Sequence, residues 1–115
     1  MKALVYKICS AALWREAERT GSFIGAGIDV ADGFIHLSAA DQVAETAAKH
    51  FGGQRDLVLV AVEADALGAT LKWEVSRGGA LFPHLYGPLP LAAVRWVQAL
   101  RLDDDGRLVL PPLDM

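Results

Sequence analysis

The sequence predicts an α+β fold, with two helices in the N-terminal half and a mostly antiparallel sheet. Both helical patterns end before residue 52, whereas apolar segments of strand length follow one another from Leu57 onward. The run Asp103-Asp104-Asp105-Gly106 is a hairpin-turn signal between the last two of these segments. Helices followed by a succession of strands, without regular alternation, favour α+β over α/β.

The composition indicates one domain over residues 1–115. Hydrophobic residues make up 53% of the chain and charged residues 22%, which is typical of a packed globule. The net charge is −3 and basic residues form no run, so we expect no binding to duplex nucleic acid. No apolar stretch approaches the ~20 residues of a membrane helix, and Met1–Tyr6 lacks the features of a signal peptide. We therefore expect a cytoplasmic chain that does not contact membranes, with Cys9 as a buried, inert thiol.

The first segments predict a strand, a capped helix and a loop. Ala3–Ile8 is apolar enough for a strand, and Ser10 is suited to the N-cap of a helix that runs through Arg19. Gly21 is the expected C-cap of this helix. Ser22–Asp32 has isolated apolar residues between glycines, which predicts a loop whose backbone can approach a ligand closely.

A predicted strand over Phe34–Ser38 carries the first candidate functional residues. Its period of two places Ile35 and Leu37 on one face, and Phe34, His36 and Ser38 on the other. Ser38 is also predicted to cap a helix over Ala39–Phe51, with Asp41 at the capping-box position. The helix N-terminus favours negative charge, so a small anionic ligand is expected beside His36. The buried stripe of this helix is predicted to be Val43, Ala44, Ala47, Ala48 and Phe51.

The C-terminal half is predicted to supply most of the sheet. Leu57–Val62 is apolar on both faces, which indicates a central strand. Val94–Arg101 alternates as a long strand, and Arg107–Leu110 returns from the hairpin turn. Leu71–Val75 also alternates, so the side chains of Leu71, Trp73 and Val75 are predicted to point inward and those of Lys72 and Glu74 to the opposite face.

A second segment rich in aromatic and histidine residues, Phe82-Pro83-His84-Leu85-Tyr86-Gly87, is expected to face the Phe34–Ser38 strand across a pocket. His36 and Ser38 are residue types that can act as a base and a nucleophile, or that can both bind one ligand. Equally, Ser38 has a capping role and His36 fits the interior of a fold. His84 and Tyr86 lie in a stiff, specially turned segment, and Glu74 supplies a carboxylate.

These residues leave four kinds of site open. The set of His36, His84 and Glu74 matches a two-histidine, one-carboxylate metal site in composition, although not in spacing. A two-histidine phosphoesterase expects a His-x-Ser/Thr unit twice, and here the unit occurs once. A serine hydrolase expects a Gly-x-Ser-x-Gly elbow, which is absent from the sequence. The fourth kind is a nucleotide pocket in which His36, Ser38, Glu74 and Tyr86 bind the ligand.

The two dense motifs resemble those of the small bacterial DUF952 family. The resemblance covers about Trp14 to Val97. It rests on Asp32-Gly33-Phe34-Ile35-His36-Leu37-Ser38, then Gln42 and Ala47, then Trp73-Glu74, then Phe82-Pro83-His84-Leu85-Tyr86-Gly87. It implies an α+β fold similar to the catalytic domain of ADP-ribosyltransferases, with a split sheet and a dinucleotide cleft between its halves.

The resemblance also implies roles for the site residues. By residue type, His36 would bind the nucleotide ribose, Tyr86 would stack on nicotinamide, and Glu74 would aid transfer. His36 and Glu74 are thus the catalytic candidates, and His36, Ser38, Phe82, His84 and Tyr86 the ligand-binding ones. The spacing between the motifs of the ADP-ribosyltransferase superfamily is not found in this sequence.

We therefore expect a pocket that binds a nucleotide such as NAD, as substrate rather than as a resident cofactor, and that transfers ADP-ribose. One alternative is a non-enzymatic binding or interaction module in which the histidines and Tyr86 form a structural network. A metal-dependent hydrolase is the third hypothesis. The sequence makes no prediction of oligomeric state.

Overall fold

A five-stranded antiparallel sheet runs through the centre of the computed structural model, which describes residues 3–113 apart from the side chain of Arg77. In chain order the elements are β1 (Leu4–Ser10), α1 (Ala11–Thr20), β2 (Ser22–Phe23), α2 (Gly27–Asp32), β3 (Ile35–His36), β4 (Ser38–Ala39), α3 (Val43–Phe51), β5 (Leu57–Glu63), β6 (Leu71–Val75), β7 (Leu81–Leu85), β8 (Leu89–Pro90), β9 (Val94–Leu102) and β10 (Leu108–Val109). Short 3₁₀ turns cover Ala40–Gln42, Ala64–Thr70, Arg77–Gly79 and Leu91–Ala93.

The strands form three separate sheets. The central sheet has the order β10-β9-β5-β1-β4, a second sheet has the order β3-β7-β6, and β2 pairs with β8. Each of these pairings is antiparallel. The α-helices within residues 3–113 all lie before residue 52. The predicted α+β class is thus confirmed. None of these helices is both long and apolar enough to cross a bilayer.

The core lies on both faces of the central sheet because β1 and β5 are apolar on both sides. Odd-numbered residues of β1 such as Val5 and Cys9 pack in one buried cluster with Trp14 of α1. Even-numbered residues such as Tyr6 and Ile8 pack in a second cluster with α3. The prediction of a central strand at Leu57–Val62 is therefore confirmed.

The predicted caps of α1 and the C-terminal hairpin are confirmed. The Ser10 hydroxyl oxygen accepts a hydrogen bond from the Leu13 N–H at 3.1 Å. Gly21 ends α1 with φ of 99°, a conformation that favours glycine. In the hairpin, the Asp103 carboxylate accepts hydrogen bonds from the Asp105 and Arg107 N–H groups, each at 2.9 Å.

The prediction of a loop over Ser22–Asp32 is wrong, because this segment contains β2 and the short helix α2. The two large apolar side chains of α2 are exposed, Ile28 to 64% and Val30 to 65%, whereas its buried side chain is that of Asp29. This pattern is the reverse of an amphipathic helix, so hydrophobic periodicity gives no helix signal.

The strand predicted over Phe34–Ser38 is divided between two sheets. Its first half, β3, pairs with β7, and its second half, β4, pairs with β1. The predicted alternation is otherwise observed, since Ile35 and Leu37 are both buried in the core. The chain crosses from one sheet to the other at Leu37.

The prediction that Ser38 caps the following helix is also wrong. The Gln42 side chain, rather than Asp41, accepts a hydrogen bond from the Ala39 N–H at 2.9 Å. The Ser38 hydroxyl lies 3.2 Å from the Thr46 hydroxyl instead. The helix proper begins at Val43, and of its predicted stripe Ala44 and Ala48 are exposed.

The predicted inward face of β6 is wrong at two positions. The exposed fraction is 46% for Trp73 and 69% for Val75. Strand β6 is the edge of the three-stranded sheet, and both side chains remain exposed there. Alternation along the strand therefore does not identify a buried face here.

Candidate functional site

A buried carboxylate, Asp29, organises the region between the two main sheets. Its side chain is fully buried, and Lys7 lies with its Nζ 2.8 Å from Oδ2 and 3.1 Å from Oδ1. The same carboxylate accepts hydrogen bonds from the backbone N–H groups of Ala26 (2.8 Å) and His36 (3.0 Å). The Nδ1 of His36 lies 2.7 Å from Oδ1. Three separate segments of the chain are thus tied to one side chain.

The surroundings of Asp29 favour its charged form. Burial by itself raises the pKa of this carboxyl, but the charge of Lys7 and the hydrogen bonds from Lys7, His36 and Ala26 outweigh burial, so the pKa lies below its usual value of 3.8. Gly25 allows the close packing of the preceding loop. Its φ is 111°, and a Cβ there would lie 2.7 Å from the Asp29 Cβ.

His36 and His84 lie directly opposite each other in the pairing of β3 with β7. Their ring centroids are 5.6 Å apart, and the Phe34 ring packs against both, at 4.5 Å from His36 and 4.2 Å from His84. The His36 Nε2 lies 3.0 Å from the exposed carboxylate of Asp32. The two histidines that the sequence analysis singled out therefore belong to one aromatic cluster.

The second histidine has its own carboxylate. The Nδ1 of His84 lies 2.9 Å from Glu74 Oε1, and the Tyr86 hydroxyl donates to the same oxygen at 2.6 Å. The hydrogen bond from Tyr86, followed by that from His84, lowers the pKa of Glu74 from its usual 4.5. The same bond raises the pKa of the Tyr86 phenol. Because Nδ1 faces Glu74, Nε2 is the ring nitrogen that remains on the opposite side of His84.

A cavity of about 590 Å³ lies between β1, α3 and the two histidines. This volume is within the range of small-molecule sites. All three histidines of the chain, His36, His50 and His84, line it together with Lys7. The hydroxyl-bearing residues Ser10, Ser38 and Thr46 also line the cavity, and most of the other lining residues are apolar. No Asp or Glu is among the described residues of its wall.

The structure divides the predicted site residues into two groups. His36, Ser38, Phe82 and His84 line the cavity. Glu74 and Tyr86 do not line it and meet His84 on its Nδ1 side. The prediction that the two motifs face each other across a pocket is wrong, because β3 and β7 are paired neighbours in one sheet. The two proposed transfer and stacking residues, Glu74 and Tyr86, contact each other rather than this cavity.

The geometry gives no support to the metal-site hypothesis. Within residues 3–113, no three His, Cys, Asp or Glu side chains are placed to hold a metal ion. His36 and His84 each direct Nδ1 to a carboxylate on a different element.

The sequence analysis missed Lys7 and Asp29. Lys7 is a lone charge within an apolar strand, and such a charge, when buried, requires a counter-ion. The sequence therefore contains a signal for Lys7. It contains none for Asp29, since the segment around Asp29 has neither helical periodicity nor a known motif.

The comparisons with known proteins agree with this fold. The model of a family described as "Protein of unknown function (DUF952)" matches residues 8–97. The crystal structure of protein CC0527 from Caulobacter crescentus is 57% identical, with a TM-score of 0.89, over 92% of this chain and 93% of that one. The solution NMR structure of CC0527 is 59% identical, with a TM-score of 0.82, over 90% of each chain. No curated protein matches the chain. The chain belongs to the DUF952 family.

Proposed function

We propose that the cavity binds a small anionic ligand of nucleotide type, with NAD as the first ligand to test. The observation that carries the proposal is the composition of its wall: Lys7 and all three histidines face one cavity, without a carboxylate among the described lining residues. The histidine ring nitrogens and the hydroxyl groups of such a wall can donate hydrogen bonds to an anion, and its apolar remainder suits a flat ring.

The carboxylates behind the histidines support this role. Glu74 holds the His84 ring by Nδ1, which orients Nε2 for a ligand. Asp29 holds the His36 ring by Nδ1 and fixes the position of Lys7, while the exposed carboxylate of Asp32 lies 3.0 Å from the His36 Nε2. A binding group that is held by a second hydrogen bond loses little freedom when a ligand arrives, so preorganisation favours affinity.

Transfer of ADP-ribose is the more specific hypothesis, and it needs a separate test with NAD as the substrate. It requires the Glu74 carboxylate to reach the ribose that is attacked, because an oxocarbenium-like transition state needs a nearby negative charge. Glu74 instead contacts Tyr86 and His84. We therefore limit the proposed function to binding, and release of nicotinamide from NAD would extend it to catalysis.

Isothermal titration calorimetry with NAD, ADP-ribose and AMP tests the proposal. We expect stoichiometric binding by the wild-type protein and at least about tenfold weaker binding by His84→Ala, since a hydrogen bond to a charged group contributes about 1.5–3 kcal/mol. Arg101→Ala is the control, because Arg101 is exposed on β9 and does not line the cavity. Absence of heat with all three ligands at millimolar concentration would overturn the proposal.

A second candidate is a non-enzymatic module in which the histidine network is structural. The observation that favours it is that Asp29 ties β1, α2 and β3 together through Lys7 and His36. In that case His36→Ala should lower the melting temperature markedly, while none of the nucleotides binds. Ligand binding with turnover would exclude this candidate.

A further inference from the structure

The edge of β1 that faces the cavity is only partly paired. Strand β4 pairs with β1 at Val5 and Tyr6, and the register does not continue further. On its other edge, β1 pairs with β5 along its whole length, from Leu4 to Ser10. The half of β1 that follows Tyr6 therefore has a sheet neighbour on one side only.

The register shows which backbone groups point to the open edge. The Ala3 carbonyl accepts a hydrogen bond from the Ala64 N–H at 3.1 Å, and the Ala11 N–H donates to the Asp56 carbonyl at 2.7 Å. These two bonds lie one position beyond each end of the β1–β5 pairing, at the odd-numbered positions 3 and 11 of the chain. In an antiparallel pair, hydrogen-bonded positions alternate along the strand. The odd-numbered residues of β1 thus bond to β5, and the N–H and C=O of Ile8 point the other way.

The Lys7–Asp29 ion pair explains why β4 stops. Continued pairing from Tyr6 with Ser38 would place His36 opposite Ile8. The His36 N–H donates to Asp29 instead, at 3.0 Å, and the His36 carbonyl accepts from Lys7 Nζ at 3.1 Å. Both groups that would pair with Ile8 are therefore already bonded. The register thus leaves the Ile8 N–H and C=O directed to the edge of β1 that β4 does not reach.

The cavity follows this open edge. Its wall includes five successive residues, Tyr6 to Ser10, whose side chains point alternately to both faces of the sheet. A cavity that contacts both sets of side chains runs along the edge of the strand. Ile8 is itself one of the residues that line the cavity. Backbone N–H and C=O groups are strong hydrogen-bonding groups, so a ligand in the cavity can pair with both of them.

We propose that the Ile8 N–H and C=O bind a planar ligand group that carries an acceptor and a donor side by side. A primary carboxamide has this chemistry, and so does the amidine edge of adenine. The inference deepens the proposed function and rests on it, because it specifies how a nucleotide is seated in the cavity. Lys7 and the histidines then contact the anionic part of the same ligand.

Calorimetry with modified dinucleotides tests the assignment. The deamido form of NAD replaces the carboxamide with a carboxylate, which has no donor. The hypoxanthine form reverses the order of the two groups on the purine edge, because N1 becomes a donor and the 6-amino donor becomes an oxo acceptor. If the carboxamide pairs with Ile8, the deamido form binds at least about tenfold more weakly than NAD, whereas the hypoxanthine form binds equally well. If adenine pairs with Ile8, the hypoxanthine form and not the deamido form is the weaker ligand.

The outcomes separate this inference from the proposed function. Equal affinity of all three dinucleotides would overturn the role of Ile8 and leave nucleotide binding standing. Absence of binding by all three would overturn both.

Amide hydrogen exchange gives an independent measurement on the unmodified protein. Saturation with NAD should slow exchange of the Ile8 N–H at least about tenfold. The Cys9 N–H is the matched control, because Cys9 is an odd-numbered residue that already bonds to β5 opposite Val58. Unchanged exchange of Ile8 in the saturated protein would contradict the assignment.

Discussion

His36 and His84 face each other across two paired strands, and each presents Nδ1 to a carboxylate of very different exposure. The Asp29 side chain behind His36 is fully buried, whereas the Glu74 side chain behind His84 is 39% exposed. The two histidines are thus held in similar ways by groups whose contributions to stability differ. This difference is measurable.

Asp29→Asn should lower the free energy of unfolding by about 3–5 kcal/mol, because it leaves the buried Lys7 ammonium without its counter-charge. Urea denaturation followed by circular dichroism measures the change. Glu74→Gln is the matched control, since it makes the same chemical change at the exposed carboxylate and should have a much smaller effect. Equal losses in the two variants would contradict the assignment of Asp29 as the structural centre.

Acid should weaken the fold through Asp29. Its pKa is lower in the folded chain than the usual 3.8, so the unfolded chain binds the proton more readily. The stabilisation is therefore fully present above that value and is lost as the pH falls through the lowered pKa. We expect the stability difference between wild type and Asp29→Asn to shrink as the pH is lowered from neutral to below 3.8. A difference that stays constant with pH would contradict this linkage.

The phenol of Tyr86 should titrate at lower pH when Glu74 is neutralised. The hydrogen bond and the charge of Glu74 both raise the Tyr86 pKa above its usual 10.0. Glu74→Gln should move it back toward that value, as measured by ultraviolet difference spectroscopy. Tyr86→Phe identifies the signal, because the chain has one other tyrosine, the buried Tyr6. An unchanged titration in Glu74→Gln would show that the two groups are not bonded in solution.

The Cys9 thiol should resist alkylation at neutral pH although it belongs to the cavity wall. Burial, partly offset by the charge of Lys7, raises its pKa to about 11. At pH 7 about one thiol in 10⁴ is then ionised, and the thiolate is the reactive form. Mass spectrometry should show reaction with iodoacetamide that speeds up about tenfold per pH unit. Neutral-pH modification as fast as that of the urea-unfolded chain would contradict the prediction.

The sequence predicted the parts of the fold that depend on local signals. Ser10 and Gly21 cap α1 as expected, because side-chain and glycine caps act within one turn. Leu57–Val62 is central because its residues are apolar on both faces. The hairpin at Asp103 has the expected turn chemistry.

The errors share another physical cause, since they concern features set by long-range contacts. Helix α2 depends on Asp29, whose partner Lys7 lies 22 residues earlier. Ser38 has no capping role because Gln42 takes it, and the Gln42 side chain is itself positioned by a hydrogen bond to the Leu81 carbonyl, 39 residues later. The two histidine motifs are neighbouring strands of one sheet rather than opposite walls of a pocket, because the pairing of β3 with β7 joins residues almost 50 positions apart. The sequence could not predict that Glu74 and Tyr86 lie behind His84, because side-chain direction at an edge strand depends on the neighbouring sheet.

The crossing of the chain at Leu37 has a mechanical consequence. His36 pairs within the three-stranded sheet and Ser38 within the five-stranded one, so a single residue joins two ligand-facing groups of different sheets. A rotation of one sheet against the other would change the distance between the imidazole and the hydroxyl, and the bond from Lys7 of β1 to the His36 carbonyl opposes such a rotation. Affinity for a ligand that contacts both groups would then depend on the alignment of the two sheets. Any contact that shifts the exposed strand β6 would change the geometry of the cavity.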